Sequence, residues 1–266
     1  MKKLVFDYEM RLSFSAPVTD HRFQLRCIPS TGPRQQVIDV EVKIQPETEL
    51  ETTIDSFDSV VMTGFIPEPH DIFSYSVTGI AFVDNAHIHK EAYKPLYRFN
   101  SALTIPGPNV EAMIAVCRER LAALPSDATP VQQAAEVMDE VYKAFCVYAR
   151  FHHDSHHRRT GLGSAQGRMP GLCARDAVRV PACGIDARYI AGLLGGEGAT
   201  HAWVEVYQDG RWVGLDPTHN RLVDDSYITI AHGRDYRDCM LDIGIFSGYN
   251  VQQSQWVNAS VHEQVA

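Results

Sequence analysis

The amino-acid sequence predicts an α+β protein in two parts, a β-rich, sandwich-like N-terminal domain over residues 1–105 and a second domain over residues 106–266. Three observations support this prediction. Apolar residues alternate with polar ones through most of the first 85 residues, which is typical of half-buried strands. Two stretches with helical spacing follow. A hairpin that carries reactive side chains is then centred on the turn at Asp209 and Gly210.

The N-terminal strands are predicted by a period of two. The apolar positions are Leu4, Phe6, Tyr8 and Met10; then Phe23, Leu25 and Cys27; then Ile38, Val40, Val42 and Ile44; and finally Phe73, Tyr75 and Val77. This alternation predicts antiparallel strands with one face in water. The strands hold no constellation of reactive groups, so a structural or substrate-positioning role is favoured for this domain.

Two helices are predicted after the Pro-rich stretch at 105–108. The first has apolar residues at helical spacing: Val110, Met113, Ile114, Cys117 and Leu121. The second begins with a capping box from Thr129 to Gln132, with a proline at the first helical position. Its apolar stripe is Val131, Ala134, Ala135, Met138, Tyr142 and Phe145. Because Cys117 lies on such a stripe, we interpret it as a core residue.

The hairpin places chemistry on one face. Asp209-Gly210 is a strong signal for a two-residue turn, since both residues tolerate positive φ. With that turn, Trp203 faces Asp216 across the hairpin. His201 then lies diagonal to Asp216 on the same face, about 7–8 Å away between backbones. An imidazole and a carboxylate at this spacing can hydrogen-bond, which supplies two members of a nucleophile–base–orienter triad.

Composition narrows the protein class. The chain of 266 residues is 45% hydrophobic and 21% charged, as in soluble globular proteins. Its net charge of −9 argues against nucleic acid or an anionic membrane as a partner. Six scattered cysteines form no C-x-x-C pair, and no apolar run of about 18 residues is present. We therefore expect a reduced, cytoplasmic protein.

Four motifs resemble the bacterial transglutaminase-like family. They are Gly184-Ile-Asp-Ala-Arg-Tyr-Ile-Ala-Gly192, His201-Ala-Trp-Val-Glu-Val, Asp216-Pro-Thr, and Tyr227-Ile-Thr-Ile-Ala-His-Gly-Arg-Asp-Tyr236. The resemblance implies a papain-like α+β core behind a β-rich N-terminal domain. It also implies that His201 is the base, that Asp216 orients it, and that a cysteine at a helix N-terminus is the nucleophile.

The nucleophile is the poorly matched part of the sequence. Residues 145–183 have no visible period and hold six arginines and four histidines against two aspartates. The family pattern Gly-Val-Cys-Gln-Asp is represented only by Gly171-Leu-Cys173-Ala-Arg-Asp176. The interval from Cys173 to Gly184 is about one helical turn shorter than in the family, and Pro181 would interrupt the helix. Cys173 is therefore the candidate nucleophile on a poor helix.

We hypothesise that residues 145–183 are translated out of frame. The codon of Met169 is ATG and that of Pro170 begins with C, so a shift by one base produces TGC, a cysteine codon. Neighbouring codons in that frame can encode Gly-Val before it and Gln-Asp-Tyr-Ala-His after it, as in the family. The nucleophile would then stand at position 169, and the helix would have its full length.

Two alternatives stay open for this segment. The first is a catalytically inert scaffold in which the nucleophile helix is disrupted. The second is a metal-dependent hydrolase, because His152, His153, Asp154, His156 and His157 include histidine pairs with i, i+4 spacing. No helical apolar face accompanies those pairs.

Several other residues near the motifs have simpler interpretations. Trp203 and Trp212 are predicted to pack. Glu205 is predicted to be a solvated or paired charge, and His219 a solvated turn residue. Cys183 is predicted to be a core residue at a helix end.

The predicted reaction is acyl transfer from an amide by Cys173, His201 and Asp216. Hydrolysis of a peptide or amide substrate is favoured over protein crosslinking, because the family members of this type resemble hydrolases. Backbone N–H groups at the start of the nucleophile helix would stabilise the oxyanion. Neither a cofactor nor a metal is expected.

Overall fold

The computed structural model describes residues 1–85, 87, 89–105, 107–153 and 180–265, with the backbone alone at 109 and 144–153. The strands are β1 Lys2–Leu25, β2 Gln35–Gln45, β3 Leu50–Ile54, β4 Val60–Ile66, β5 His70–Val83, β6 Ala187–Leu194, β7 Gly196–Gly198, β8 His201–Gln208, β9 Arg211–Asp216, β10 Arg221–Leu222, β11 Tyr227–Gly233, β12 Asp242–Ser247 and β13 Gln253–Glu263. The helices are α1 Pro108–Ala122 and α2 Pro130–His153, and a 3₁₀ turn spans Pro95–Arg98. These residues are richer in strand than the predicted α+β class implies.

The first sheet is built around β1, the longest strand. The first half of β1 pairs antiparallel with β5 and β13, and its second half pairs with β4 and β12. The predicted inward residues of β1, from Leu4 to Met10, are buried. The alternation therefore predicted this strand correctly. Strands β12 and β13 come from the end of the chain, so both ends of the sequence contribute to this sheet, and the boundary at residue 105 stays a prediction.

Strand β2 departs from the predicted pattern. Its pairing with β5 shifts between Ile38 and Glu41, where Asp39 adopts φ = 53°. This bulge inserts one residue and exchanges the two faces of the strand. Ile38 and Val40 are consequently exposed, whereas Val42 and Ile44 pack against the core. The prediction that all four residues share the inward face was wrong for the first two.

Both predicted helices are present. The capping box at the start of α2 is reciprocal: the backbone N–H of Thr129 donates to Gln132 Oε1 at 2.9 Å, and that of Gln132 donates to Thr129 Oγ1 at 3.3 Å. Helix α2 packs against β8 and β9, and its buried residues include Ala134 and Met138. None of the described helices is long and apolar enough to cross a membrane.

The second sheet has five antiparallel strands in the order β10-β9-β8-β6-β11. Its centre is the predicted hairpin. Gln208 pairs with Arg211, and the two turn residues have φ values of 52° at Asp209 and 80° at Gly210, as the turn requires. One cluster of buried apolar side chains joins the two sheets and includes Tyr8 of β1 and Tyr189 of β6. The second sheet is thus packed against the first. The start of β8 and the end of β9 carry the candidate site.

Candidate active site

His201 and Asp216 meet at one edge of the second sheet. His201 begins β8 and Asp216 ends β9, so the hairpin places them diagonally at the same edge of the sheet. Their side chains are 2.8 Å apart, from His201 Nε2 to Asp216 Oδ2, and both are buried. Opposite His201 on β6 is Gly192, where a Cβ atom would lie 2.5 Å from the ring of Trp203. A glycine is therefore needed there for the ring to pack beside the histidine.

Hydrogen bonds hold the Asp216 carboxylate on both of its oxygens. Oδ1 accepts the backbone N–H groups of Thr218 at 2.8 Å and His219 at 3.2 Å. Oδ2 accepts a bond from Tyr227 Oη at 2.7 Å in addition to that from His201. Burial by itself raises the pKa of this carboxyl, but the bond from His201, the charge of that imidazole and the other bonds outweigh it and lower the pKa below its ordinary value. Asp216 is therefore an ionised acceptor.

The ionised carboxylate determines the tautomer of His201. Because a carboxylate can only accept, His201 Nε2 must carry a proton. The nitrogen with the available lone pair in the neutral ring is then Nδ1. Among the described residues, the side chain of His201 makes no other hydrogen bond. The ring of Trp203 stacks beside it, with the two ring centroids 6.4 Å apart. The geometry presents Nδ1 as the basic nitrogen.

His219 is a site residue that sequence reasoning missed. It was predicted to be a solvated turn residue, and its side chain is indeed 41% exposed. Its Nδ1 nevertheless lies 2.7 Å from Asp216 Oδ2, the same oxygen that His201 uses. The signal was its position three residues after Asp216, because a tight turn returns the side chain at i+3 towards residue i.

Tyr227 was also missed as a contact of Asp216, and no local signal predicts it. It reaches the site from β11, the strand at the far edge of the sheet. Its hydroxyl accepts from Arg221 Nε at 2.9 Å and donates to Asp216. Burial, followed by the bond to the carboxylate, raises the pKa of Tyr227, so the phenol keeps its proton.

The candidate nucleophile Cys173 lies outside the described residues, as do the side chains of His152, His153, Asp154, His156 and His157. Four other cysteines are described, and His201 makes no hydrogen bond to any of them: Cys27, Cys117, Cys183 and Cys239. Burial raises the pKa of Cys27 to about 12 and that of Cys239 well above its ordinary value. Neither of these two thiols is activated, because reactive cysteines have a lowered pKa.

A cavity of about 190 Å³ adjoins His201. It lies between the two sheets, with Tyr8 of β1 and Val257 of β13 on one side and Ala191 of β6 on the other. Asp242 contributes a carboxylate that is 3.1 Å from Gln255 Nε2 through each of its oxygens. His201 thus borders a cavity that is lined by both polar and aromatic side chains.

His201, Asp216 and His219 are the one group among the described residues whose types could hold a metal ion, with ligand atoms within 4.8 Å of one another. Zinc bonds of about 2.0–2.1 Å at tetrahedral angles separate neighbouring ligand atoms by about 3.3 Å. The nitrogen-to-oxygen distances here are 2.8 and 2.7 Å. These are hydrogen-bond lengths, so the arrangement favours protons between the groups.

Glu205, four residues along β8, lies in a second buried cluster. It accepts from Arg188 Nε at 2.8 Å and from an Arg34 guanidinium nitrogen at 2.8 Å. Arg188 also donates to Glu91 at 2.6 Å and stacks 4.2 Å above the ring of Trp212. Burial alone raises the pKa of Glu205, but the two arginines lower it to about 2. Glu205, which was predicted to be a solvated or paired charge, is therefore paired, and it is fully buried.

Both tryptophans of the hairpin are buried. Trp203 packs edge to face on Tyr227 with ring centroids 5.3 Å apart. Trp212 packs on Tyr93 and Tyr97. Both side chains therefore have packing contacts, as predicted.

Comparison with known families finds two matches in this chain. Residues 6–81 match the bacterial transglutaminase-like N-terminal region. Residues 126–217 match the transglutaminase-like superfamily, and this range includes both His201 and Asp216. The two matches have the order that the sequence motifs predicted.

Individual relatives and one solved structure extend this likeness. An uncharacterized protein of Mycobacterium leprae is 26% identical over 263 residues, which cover 88% of this chain and 90% of that protein. An uncharacterized protein of Mycobacterium tuberculosis is 38% identical over 99 residues, which cover 30% and 32%. A Cytophaga hutchinsonii protein proposed to be a cysteine protease aligns with a TM-score of 0.65 at 16% identity, over 100% of this chain and 91% of that one. Its likeness shows a shared fold.

Proposed function

Since this chain belongs to the bacterial transglutaminase-like family, we propose that it hydrolyses an amide bond of a peptide or related substrate by a Cys-His-Asp mechanism. The observation that supports the proposal most directly is the buried hydrogen bond between His201 Nε2 and Asp216 Oδ2. It leaves His201 Nδ1 as the nitrogen that can accept a proton. A base oriented by a carboxylate is the arrangement that activates a thiol or hydroxyl nucleophile.

In the proposed reaction Cys173 is the nucleophile. Its thiol proton moves to His201 Nδ1, and the thiolate sulfur bonds to the carbonyl carbon of the substrate. Asp216 stabilises the imidazolium that results, because it is ionised and fixed on both oxygens. When the tetrahedral intermediate collapses, the carbon–nitrogen bond breaks and His201 returns the proton to the leaving amine.

Water completes the proposed cycle. His201 Nδ1 removes a proton from water, the hydroxide oxygen bonds to the thioester carbon, and the carbon–sulfur bond breaks. The thiolate takes the proton back, and a carboxylic acid is released. Hydrolysis is preferred to transfer onto an amine because the Cytophaga hutchinsonii protein of the same fold is proposed to be a protease.

Alkylation with iodoacetamide at pH 6, followed by mapping of the labelled residue, tests the proposal. An activated thiolate reacts at this pH, whereas ordinary cysteines with a pKa near 8.5 are almost entirely protonated. We expect one rapidly labelled cysteine, and we expect its labelling to slow at least about 10-fold in the His201→Ala variant. Cys27 and Cys239, whose pKa values are raised, serve as internal slow controls.

The position of the label distinguishes the two candidate nucleophiles. Label on Cys173 supports this residue. An intact mass that differs from the one calculated from the sequence, together with label on a cysteine at position 169, supports the frame hypothesis. If no cysteine reacts faster than Cys27 and Cys239, the cysteine mechanism is wrong, and the inert scaffold and the metal-dependent hydrolase are the remaining alternatives. Metal analysis of the same preparation tests the metal-dependent alternative.

A further inference from the structure

We propose that His219 is a positioning residue for His201, and that it acts through the carboxylate oxygen which the two imidazoles share. The inference rests on the proposed role of His201 as the base. His201 Nε2 and His219 Nδ1 lie 2.8 and 2.7 Å from Asp216 Oδ2. Their ring centroids are 5.3 Å apart. The two imidazoles therefore share one acceptor.

The shared carboxylate cannot rotate to serve the two rings separately. Its other oxygen, Oδ1, already accepts the backbone N–H groups of Thr218 and His219. Oδ2 also accepts the hydroxyl of Tyr227 at 2.7 Å. Three donors thus compete for an oxygen that has two lone pairs. Any change in one of the three bonds must alter the strength of the others.

The two rings differ in their access to water. The side chain of His219 is 41% exposed, whereas that of His201 is 6% exposed. Because Asp216 is ionised, each ring carries a proton on the nitrogen that faces it. His219 can gain its second proton from solvent on its other nitrogen without moving. His201 gains its second proton at Nδ1, which is the event that the proposed reaction requires.

One negative charge therefore serves two groups that can each become cationic. The other titratable groups around the pair, among the described residues, are Tyr227 from β11 and Arg221 from β10, and across the cavity Tyr8, Tyr189, Tyr236, Cys239 and Asp242. Two like charges about 5 Å apart repel strongly even when partly screened by water. A proton gained by His219 must therefore oppose a second proton on His201.

The consequence is a base whose strength depends on its neighbour. When His219 is neutral, the negative charge of Asp216 is available to stabilise the His201 imidazolium. When His219 is charged at lower pH, it takes part of that stabilisation and the imidazolium becomes less favourable. The charge states of the two rings are therefore linked through the one carboxylate oxygen that they share.

Proton-detected NMR of the imidazole rings, on the full chain between pH 4.5 and 8.5, tests this inference. The His201 signal is assigned by its loss in a His201→Asn variant. His219→Asn keeps a neutral donor near Asp216 but removes the charge, and His219→Ala removes both. We expect the pKa of His201 to rise by about 0.5 to 1 pH unit in His219→Asn, and at least as much in His219→Ala. The titration should also narrow to a single step.

His262→Asn is the matched control, because His262 is exposed on β13 and should leave the titration of His201 unchanged. Amide spectra of each variant establish that it is folded. If His201 titrates in one step with the same pKa in the wild type and in both folded His219 variants, the inference is wrong. The titration does not need a reactive thiol. If the two histidines titrate as a coupled pair but no cysteine is reactive, the proposed function is wrong and this inference stands.

Discussion

Two buried charge clusters lie four residues apart along strand β8, one at His201 and the other at Glu205, and they are built differently. At Glu205 the charged groups are matched in pairs, since Arg188 lies between two glutamates and Glu205 lies between two arginines. At His201, three donors converge on one oxygen of Asp216. The charges of the first cluster are paired, whereas the second leaves His201 Nδ1 without a hydrogen-bond partner among the described residues.

This difference teaches which features identify a functional site. Burial does not separate the clusters, because Glu205 and Asp216 are both fully buried. A neighbouring cavity does not separate them either, since one of about 190 Å³ borders His201 and one of about 220 Å³ borders Arg34. A lowered carboxyl pKa occurs in both. What differs is how the carboxylate is shared: Glu205 forms matched ion pairs with two arginines, whereas one oxygen of Asp216 accepts from three donors that include two imidazoles.

The largest expected effect is on reactivity at the His201 cluster. Asp216→Asn should lower the rate of substrate hydrolysis on the order of 10³- to 10⁴-fold, because an amide can hold the wrong tautomer of His201. The measurement is kcat/KM on an amide substrate, or the alkylation rate of the nucleophile. The matched control is Asp209→Asn at the other end of the same hairpin, where asparagine tolerates the positive φ. Equal losses in both variants would contradict the distinction.

The next effect is on stability at the Glu205 cluster. Glu205→Gln should lower the free energy of unfolding at pH 7 by about 3–5 kcal/mol, because it leaves buried arginines without their counter-charge. Urea unfolding measures this. The deficit should shrink as pH falls from 4.5 towards 2, where Glu205 itself becomes protonated in the folded wild type.

Glu197→Gln is the control for that experiment, since Glu197 is exposed on β7. It should leave the unfolding midpoint unchanged. If Glu205→Gln is as stable as this control, the paired charges at Glu205 do not hold the fold and the comparison between the two clusters fails.

A smaller effect concerns the pH dependence of stability. Burial, followed by the charge of Arg188, lowers the pKa of His232 well below 6.5, and its Nδ1 has no hydrogen-bond partner among the described groups. The unfolded chain therefore binds a proton below pH 6.5 that the folded protein does not. The contribution of His232 to the free energy of unfolding is therefore fully present above pH 6.5 and decreases as pH falls below that value.

His232→Gln should reduce that loss by up to about 1.4 kcal/mol per pH unit below pH 6.5. His21, whose pKa burial lowers to about 4, should maintain a remaining slope between pH 6.5 and 4. Unfolding in urea at several pH values provides the measurement, with the exposed His262→Gln as control. An unchanged slope in His232→Gln would show that the unfolded and folded states bind the same number of protons at this residue.

The smallest effect is expected at an ion pair outside both clusters. Arg98 donates to Asp186 at 2.9 Å, but its side chain is 66% exposed. Exposed ion pairs are weak because water screens them and both side chains lose freedom. Arg98→Ala should therefore leave the urea midpoint within experimental error of the wild type. A clear loss of stability would mean that pairing of charges, rather than their burial, controls stability in this protein.

Local patterns in the sequence predicted most of the framework. The period of two predicted β1 and the hairpin, and Asp209-Gly210 predicted the turn that aligns His201 with Asp216. The period of two gave a wrong prediction at β2, where one inserted residue at the bulge exchanged the faces of Ile38 and Val40. A period can be read from neighbouring residues, but a bulge depends on the partner strand. The roles of His201, Asp216 and Cys173 in catalysis stay predictions.

The sequence by itself determined the family, the hairpin and the pairing of a histidine with an aspartate, because each depends on residues close together in the chain. Only the tertiary structure decided what surrounds that pair. Tyr227 reaches Asp216 from the far edge of the sheet, and Arg34 reaches Glu205 from the N-terminal region. Arg34 and Glu205 are 171 residues apart. Tyr227 is only 11 residues from Asp216, but it reaches the carboxylate because β11 pairs with β6 at the far edge of the sheet, and no local period encodes that pairing. Packing, rather than pattern, therefore determined that Glu205 lies in matched ion pairs and that His201 shares its carboxylate with two other donors.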